Sequence, residues 1–149
     1  MLLWRISNHT SLDGKGGLET SARWHSQGQP IVYLAESVPG ALLEVLVHLE
    51  LSVTRFPKSY RLLKVEAPDD VSIETVSVTE LAAGWADDET LTRTLGDQWL
   101  AARKTALLRV PSAIAPETFN VLLNSAHEQS RRLRILSHRE YPWDLRLMS

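Results

Sequence analysis

Arg23-Trp-His-Ser-Gln-Gly-Gln-Pro-Ile-Val-Tyr-Leu-Ala-Glu-Ser-Val-Pro-Gly-Ala-Leu-Leu-Glu44 is the stretch whose reading decides the fold. Ile31–Ala35 has the length and composition of a short buried strand. Ser37 ahead of Pro39 signals a helix start, and helical apolar spacing then runs from Ala41 to about Leu51. A strand thus turns directly into a helix, and the helix carries Glu44 with three apolar residues on each side. A carboxylate in such a run loses solvation unless partners compensate it, so it is paired or functional. The chemistry is expected here.

Working outward, Leu2–Ser7, Tyr60–Glu66 and Val71–Val76 read as strands, as do Ala106–Val110, Phe119–Asn124 and Leu133–His138. Asp87-Asp-Glu opens a second helix, with acids where the helix dipole favours them, and it is expected to reach Lys104 with Gly96 as a weak point. Asp13-Gly-Lys-Gly-Gly17 reads as a mobile loop and matches neither a dinucleotide fingerprint nor a P-loop. The tail, Glu140-Tyr-Pro-Trp-Asp-Leu-Arg-Leu, is amphipathic and suited to docking on the body or a partner. Short strands with two substantial helices make this an α+β fold, one compact domain over residues 1–149.

Composition narrows the function. Hydrophobic residues at 44% can fill a core, and a net charge of −2 argues against direct DNA binding by this chain. With no cysteine, disulfides and Cys-based zinc sites are excluded. No leader pattern opens the chain and no apolar run spans a bilayer, so a cytoplasmic protein without membrane contact is expected.

Individual residues are ambiguous. Glu44 and His48 lie one helical turn apart and suit a salt bridge as well as a site, and no third ligand falls at metal-binding spacing. Arg5 on a strand and Arg23 beside Trp24 are surface arginines unless an anion engages them. Tyr33 is a core tyrosine by default. Ser112 follows a strand but lacks a nucleophile elbow, and Asn120 shares a strand face with Leu122 and Asn124.

Taken in order, these pieces resemble the RES domain, a family named for its arginine, glutamate and serine. The resemblance rests on Trp4-Arg5-Ile, Asp13-Gly-Lys-Gly-Gly17, Ala22-Arg23-Trp24-His25 and Gly28-Gln-Pro-Ile-Val-Tyr33-Leu-Ala. It continues through Ser37-x-x-x-Ala41-x-x-Glu44-Val, Gly96-x-x-Trp99, Val110-Pro111-Ser112 and Asn120-x-x-Leu-Asn124-x-x-His127. The family often has Asn at the place of His25 and Pro at that of Ser125. The resemblance implies an ADP-ribosyltransferase-like fold and a toxin that consumes NAD as substrate without a metal. It also implies an Xre-type helix-turn-helix antitoxin as partner, and leaves room for a homodimer within that complex.

On that reading Glu44 stabilises an oxocarbenium-like ribose, assisted by Arg5 and Ser112 as the other catalytic residues. Arg5 and Arg23 suit the pyrophosphate, Tyr33 stacks on nicotinamide or closes the pocket, and Trp24 and Asn120 complete the NAD contacts. Ser112 is expected to donate to the ribose or the carboxamide. The acceptor of ADP-ribose stays open between water, phosphate and protein. Two other classes compete: a metal-independent RNase using His25, Glu44 and Arg23, and a nucleotide-binding module without chemistry.

Overall fold

Seven strands form one sheet in the computed structural model, which describes residues 1–48 and 59–148. They are β1 (Leu2–Ser7), β2 (Ile31–Ala35), β3 (Arg61–Glu66), β4 (Ile73–Thr75), β5 (Leu107–Pro111), β6 (Phe119–Asn124) and β7 (Arg134–Glu140). Their spatial order is β4-β5-β6-β2-β1-β3-β7, with β4 and β5 parallel and every other pair antiparallel. The helices are α1 (Lys15–Glu19), α2 (Val38–His48) and α3 (Glu89–Ala102).

Strand alternation divides the core. Leu3, Val32, Leu34, Leu63, Val65, Leu107, Val121 and Leu123 cluster on one face. The alternate residues Ile31, Leu108, Val110 and Leu122 meet Trp24, Trp85 and the α3 residues Trp99 and Leu100 on the other. Further along that second face, Ile6, Ala35 and Leu62 pack under Ala41 and Val45 of α2. The tail docks here as well, with Tyr141 and Trp143 against this cluster.

Helix ends follow local chemistry. The Ser37 hydroxyl accepts from the Gly40 N–H at 3.1 Å, and Asp88 accepts from the Leu91 N–H at 3.1 Å to cap α3. α2 begins at Val38, directly after the expected start signal at Ser37, and its expected extension to Leu51 lies outside the described residues. Two expectations are corrected. The segment read as a mobile loop contains the start of α1, a single turn whose Lys15 N–H is held by Asp13 at 3.0 Å. Gly96 is no weak point of α3: the backbone of Trp24 crosses it so closely that an added Cβ would lie 1.6 Å from the Trp24 carbonyl oxygen.

That crossing is stapled along its length. Arg93 donates to the Ala22 carbonyl at 3.1 Å, Thr92 to the Arg23 carbonyl at 2.6 Å, and Asp97 accepts from the Ser26 N–H at 2.8 Å. One helix therefore holds the strip 22–26 in place.

The strands part where a site can form. β1 pairs with β3 along its length, from Leu2 with Glu66 to Ser7 with Arg61, and β2 pairs with β6 from Ile31 to Ala35. Between β1 and β2 only Trp4 and Ala35 are in register. The two strands diverge from that point and leave a fork. No helix among the described residues is long and apolar enough to cross a membrane.

Gly96→Ala provides a test of sign. At an open helix position this change stabilises by about 1 kcal/mol, whereas forced overpacking against backbone costs about 1–3 kcal/mol or more. A thermal melt is expected to show Tm lowered by roughly 5–10 °C; an unchanged or raised Tm would mean that the strip 22–26 does not bear on α3.

Candidate active site

The fork opens into a cavity of about 440 Å³ between Arg5–His9, the segment Gly16–Ala22 with His25, Ile31–Ala35, and the inner face of α2. Glu44, Val45 and His48 face it from α2, and Asn120 closes its end. The helical spacing that sets Glu44 one turn before His48 thus brings both to one wall. No ion pair joins them among the described residues.

Glu44 is compensated by two neutral donors instead. The Ser112 hydroxyl donates to Glu44 Oε1 at 2.9 Å, and the Asn120 amide Nδ2 donates to the same oxygen at 2.8 Å. Among the described residues nothing bonds the second carboxylate oxygen. Ser112 is itself oriented, since its oxygen accepts from the N–H groups of Ile114 at 3.2 Å and Ala115 at 3.3 Å. With its acceptor side occupied, the hydroxyl proton goes to Glu44. The expected donation from Ser112 to ribose or carboxamide is corrected accordingly: Ser112 is 3% exposed, and its proton is committed to the carboxylate.

Arg5 stands across the fork. Its guanidinium has no hydrogen bond or ion pair among the described residues. Desolvation by the surrounding fold pushes its pKa down to about 10, while Asp13 and Tyr60 act in the opposite direction. A guanidinium so placed keeps its charge at neutral pH, and among the described residues its donors are left for a ligand or water.

Tyr33 and His25 form a second network. His25 Nε2 lies 2.9 Å from the Thr20 carbonyl and 3.3 Å from that of Gly17, and carbonyls only accept, so the ring hydrogen is on Nε2. Nδ1 is then the acceptor for the Tyr33 hydroxyl at 2.7 Å, and that hydroxyl accepts from the Trp24 N–H at 3.1 Å. Burial raises the Tyr33 pKa and lowers that of His25. Both hydroxyl functions of Tyr33 are spent on the fold, leaving its ring for the cavity.

The remaining expected contacts fall elsewhere. Trp24 is 2% exposed and packs beside Trp85, with ring centroids 6.4 Å apart, so it belongs to the core and not to the cavity wall. Arg23 also stays out of the lining. Its Nη2 lies 3.9 Å from Glu89, and its buried Nη1 has no hydrogen-bond partner among the described residues. The RNase arrangement of His25, Glu44 and Arg23 is not assembled, because the imidazole nitrogens are both engaged and Arg23 points away. Sequence reasoning missed His9, Thr20, Ser21 and Tyr60 as lining residues. His9 lies two residues past the end of β1, a strand-end position that could have pointed to it; the others carry no local pattern. No group of three or more His, Asp or Glu among the described residues is placed to hold a metal ion.

Comparison with known proteins agrees with this architecture. The RES domain family model matches residues 2–144, and the chain belongs to that family. It is 50% identical over 135 residues to a Pseudomonas putida protein named Toxin Res, covering 91% of this chain and 92% of the relative. It is 36% identical over 156 residues to the Prs ADP-ribosylating toxin of Sphingobium sp., covering 97% and 95%. In fold it is similar to a chain of the crystal structure of the M. tuberculosis MbcT–MbcA toxin–antitoxin complex. That match has a TM-score of 0.74 at 16% identity, over 94% of this chain and 83% of that one.

The buried imidazole makes stability depend on pH in a defined window. Its folded pKa lies below the ordinary 6.5, because desolvation opposes the charged form. The unfolded state therefore binds the proton first, and stability is full above about pH 6.5 and declines as pH falls below it. Asp13, Asp70 and Asp144, whose pKa values are lowered from 3.8 by hydrogen bonds to their charged form, act only at lower pH. Denaturant unfolding between pH 7.5 and 5 is expected to show the decline, and His25→Gln to flatten it; an equal slope in both proteins would assign the effect elsewhere.

Proposed function

We propose that this chain is the toxin of a toxin–antitoxin pair and that it consumes NAD by cleaving the bond between nicotinamide and ribose. The observation that carries the reading is the Glu44 carboxylate, fixed through one oxygen by Ser112 and Asn120, in a cavity it shares with Arg5; among the described residues nothing bonds its other oxygen or the Arg5 guanidinium. The names of the Pseudomonas and Sphingobium relatives support it.

The chemistry follows from the charges. Nicotinamide in NAD carries a formal positive charge, and as the glycosidic bond breaks its electrons neutralise the departing ring. Positive charge passes to the ribose as an oxocarbenium ion. A carboxylate already oriented beside that ribose stabilises this charge and accepts from its hydroxyls without reorganising, an effect of about 3–4 kcal/mol for one well-placed group. Arg5 supplies forked donors to the pyrophosphate. The Tyr33 ring offers a stacking face to nicotinamide. The backbone edges of the forked strands, released from pairing with each other, suit its carboxamide. The acceptor, whether water, phosphate or a protein group, then adds to the ribose carbon and gives up a proton.

An enzyme that drains NAD requires restraint, and the reading includes an antitoxin, expected to be Xre-type, whose segment fills the fork. An anionic group of that segment would suit Arg5. DNA binding would come from the antitoxin, because this chain is mildly acidic.

The test is nicotinamide release from NAD by the purified protein. Glu44→Gln keeps shape and removes charge, and should cut the rate by roughly a hundredfold or more. Arg5→Ala should raise KM, and Arg5→Lys should restore it only in part, since lysine lacks the planar fork. Intact NAD with the parent protein, or a Glu44→Gln rate within threefold of it, would overturn the assignment.

A further inference from the structure

His25 is buried, 2% exposed, and its ring joins two separate pieces of chain, the segment Gly17–Thr20 and β2. Its Nε2–H reaches the carbonyls of Thr20 and Gly17, which belong to the cavity wall. Its Nδ1 takes the hydrogen of the Tyr33 hydroxyl from the cavity side of β2. The rings are tilted by 49° with centroids 5.6 Å apart, so they meet through the hydrogen bond and not by stacking. The wall has little slack behind it. A Cβ on Gly17 would lie 2.4 Å from the Gln29 carbonyl oxygen, and the Gly17 carbonyl also accepts from the Gly28 N–H at 3.2 Å.

We infer that His25 is a positioning residue for substrate: as a neutral strut between the Tyr33 hydroxyl and the carbonyls of Gly17 and Thr20, it sets the distance between the aromatic side of the cavity and the wall facing it, and so the affinity for the nicotinamide half of NAD. The inference rests on the proposed NAD-cleaving function. It assigns His25 no contact with the reacting atoms, because both ring nitrogens are already engaged. Only one tautomer serves. A second ring proton would turn Nδ1 into a donor facing a hydroxyl that already accepts from the Trp24 N–H. The charged groups that bear on this imidazole are Asp97 and Arg93, both on α3, with Tyr33 from β2. Asp97 is occupied by Ser26, and Arg93 by Glu89 and the Ala22 carbonyl.

Two substitutions separate the ends of the strut. His25→Asn keeps an acceptor near the Nδ1 position but does not reach Thr20. His25→Gln keeps a donor near the Nε2 position but leaves the Tyr33 hydroxyl without its acceptor. Tyr33→Phe removes that hydroxyl alone and keeps the ring. The experiment combines steady-state NAD cleavage between pH 5.5 and 8 with amide hydrogen exchange of residues 16–22 measured without NAD.

Each variant is expected to raise KM by roughly tenfold, the scale of one lost hydrogen bond, with kcat changed less than about threefold. Exchange in residues 16–22 should quicken in all three. In the parent, KM should stay flat near pH 6.5 and rise only at lower pH, because burial holds the folded-state pKa of His25 below its ordinary value, and in His25→Gln it should stay flat throughout. A fall in kcat at constant KM would place His25 at the reacting atoms and overturn the inference. Faster exchange with KM and kcat both unchanged would make the strut merely structural and overturn it as well. If the parent protein leaves NAD intact, the proposed function fails and this inference with it. In that case quickened exchange at residues 16–22 would still report the strut, and unchanged exchange would remove that too.

Discussion

A single carboxylate oxygen organises this molecule. Glu44 Oε1 receives the Ser112 hydroxyl and the Asn120 amide, and those two donors come from the end of β5 and the start of β6. An acid within the apolar run Ala41–Val47 would be costly if left alone. Two neutral donors offset that cost without cancelling the charge, which an arginine or lysine partner would do. The arrangement explains why the acid sits on α2 and why the strand hairpin must end where it does. A preorganised negative charge, with one oxygen left unbonded among the described residues, is also what a developing oxocarbenium ion requires.

The rest of the fold makes room for that oxygen. β1 is bound to β3 and β2 to β6, and their shared edge holds only at Trp4 and Ala35. The cavity is therefore a consequence of strand pairing, and Arg5 and Tyr33 are held to its sides by ladders that continue away from it. α3 contributes at a distance. It clamps the strip 22–26 through Thr92, Arg93 and Asp97, with Gly96 allowing the backbones to touch, and that strip carries the imidazole that props the far wall.

Much of this was legible in the sequence, for identifiable reasons. Each strand was readable because alternation and turn residues are local signals. Glu44 stood out by the polarity of its surroundings alone. What could not be read was long-range. Strand order is set by which edges meet in space, so neither the fork nor the convergence of Arg5, Glu44 and Asn120 on one cavity has a local trace. Gly96 reads as a weakness of a helix until the Trp24 backbone is seen against it. Ser112 reads as a ligand donor until the Ile114 and Ala115 N–H groups fix its hydroxyl. Arg23 and Trp24 flank the right segment, yet α3 turns that segment so that His25 faces the cavity instead.

If the anchored carboxylate carries the proposed NAD cleavage, Ser112 acts on that reaction only through Glu44. A double-mutant cycle tests it, with nicotinamide release measured for the parent, Ser112→Ala, Glu44→Ala and the double variant. Ser112→Ala is expected to slow the parent by about tenfold or more, the scale of a hydrogen bond to a charged group, and to change the slow residual rate of Glu44→Ala by less than about twofold. An equal loss in both backgrounds would mean that Ser112 meets the substrate itself and that the anchored carboxylate is not the organising feature of the site.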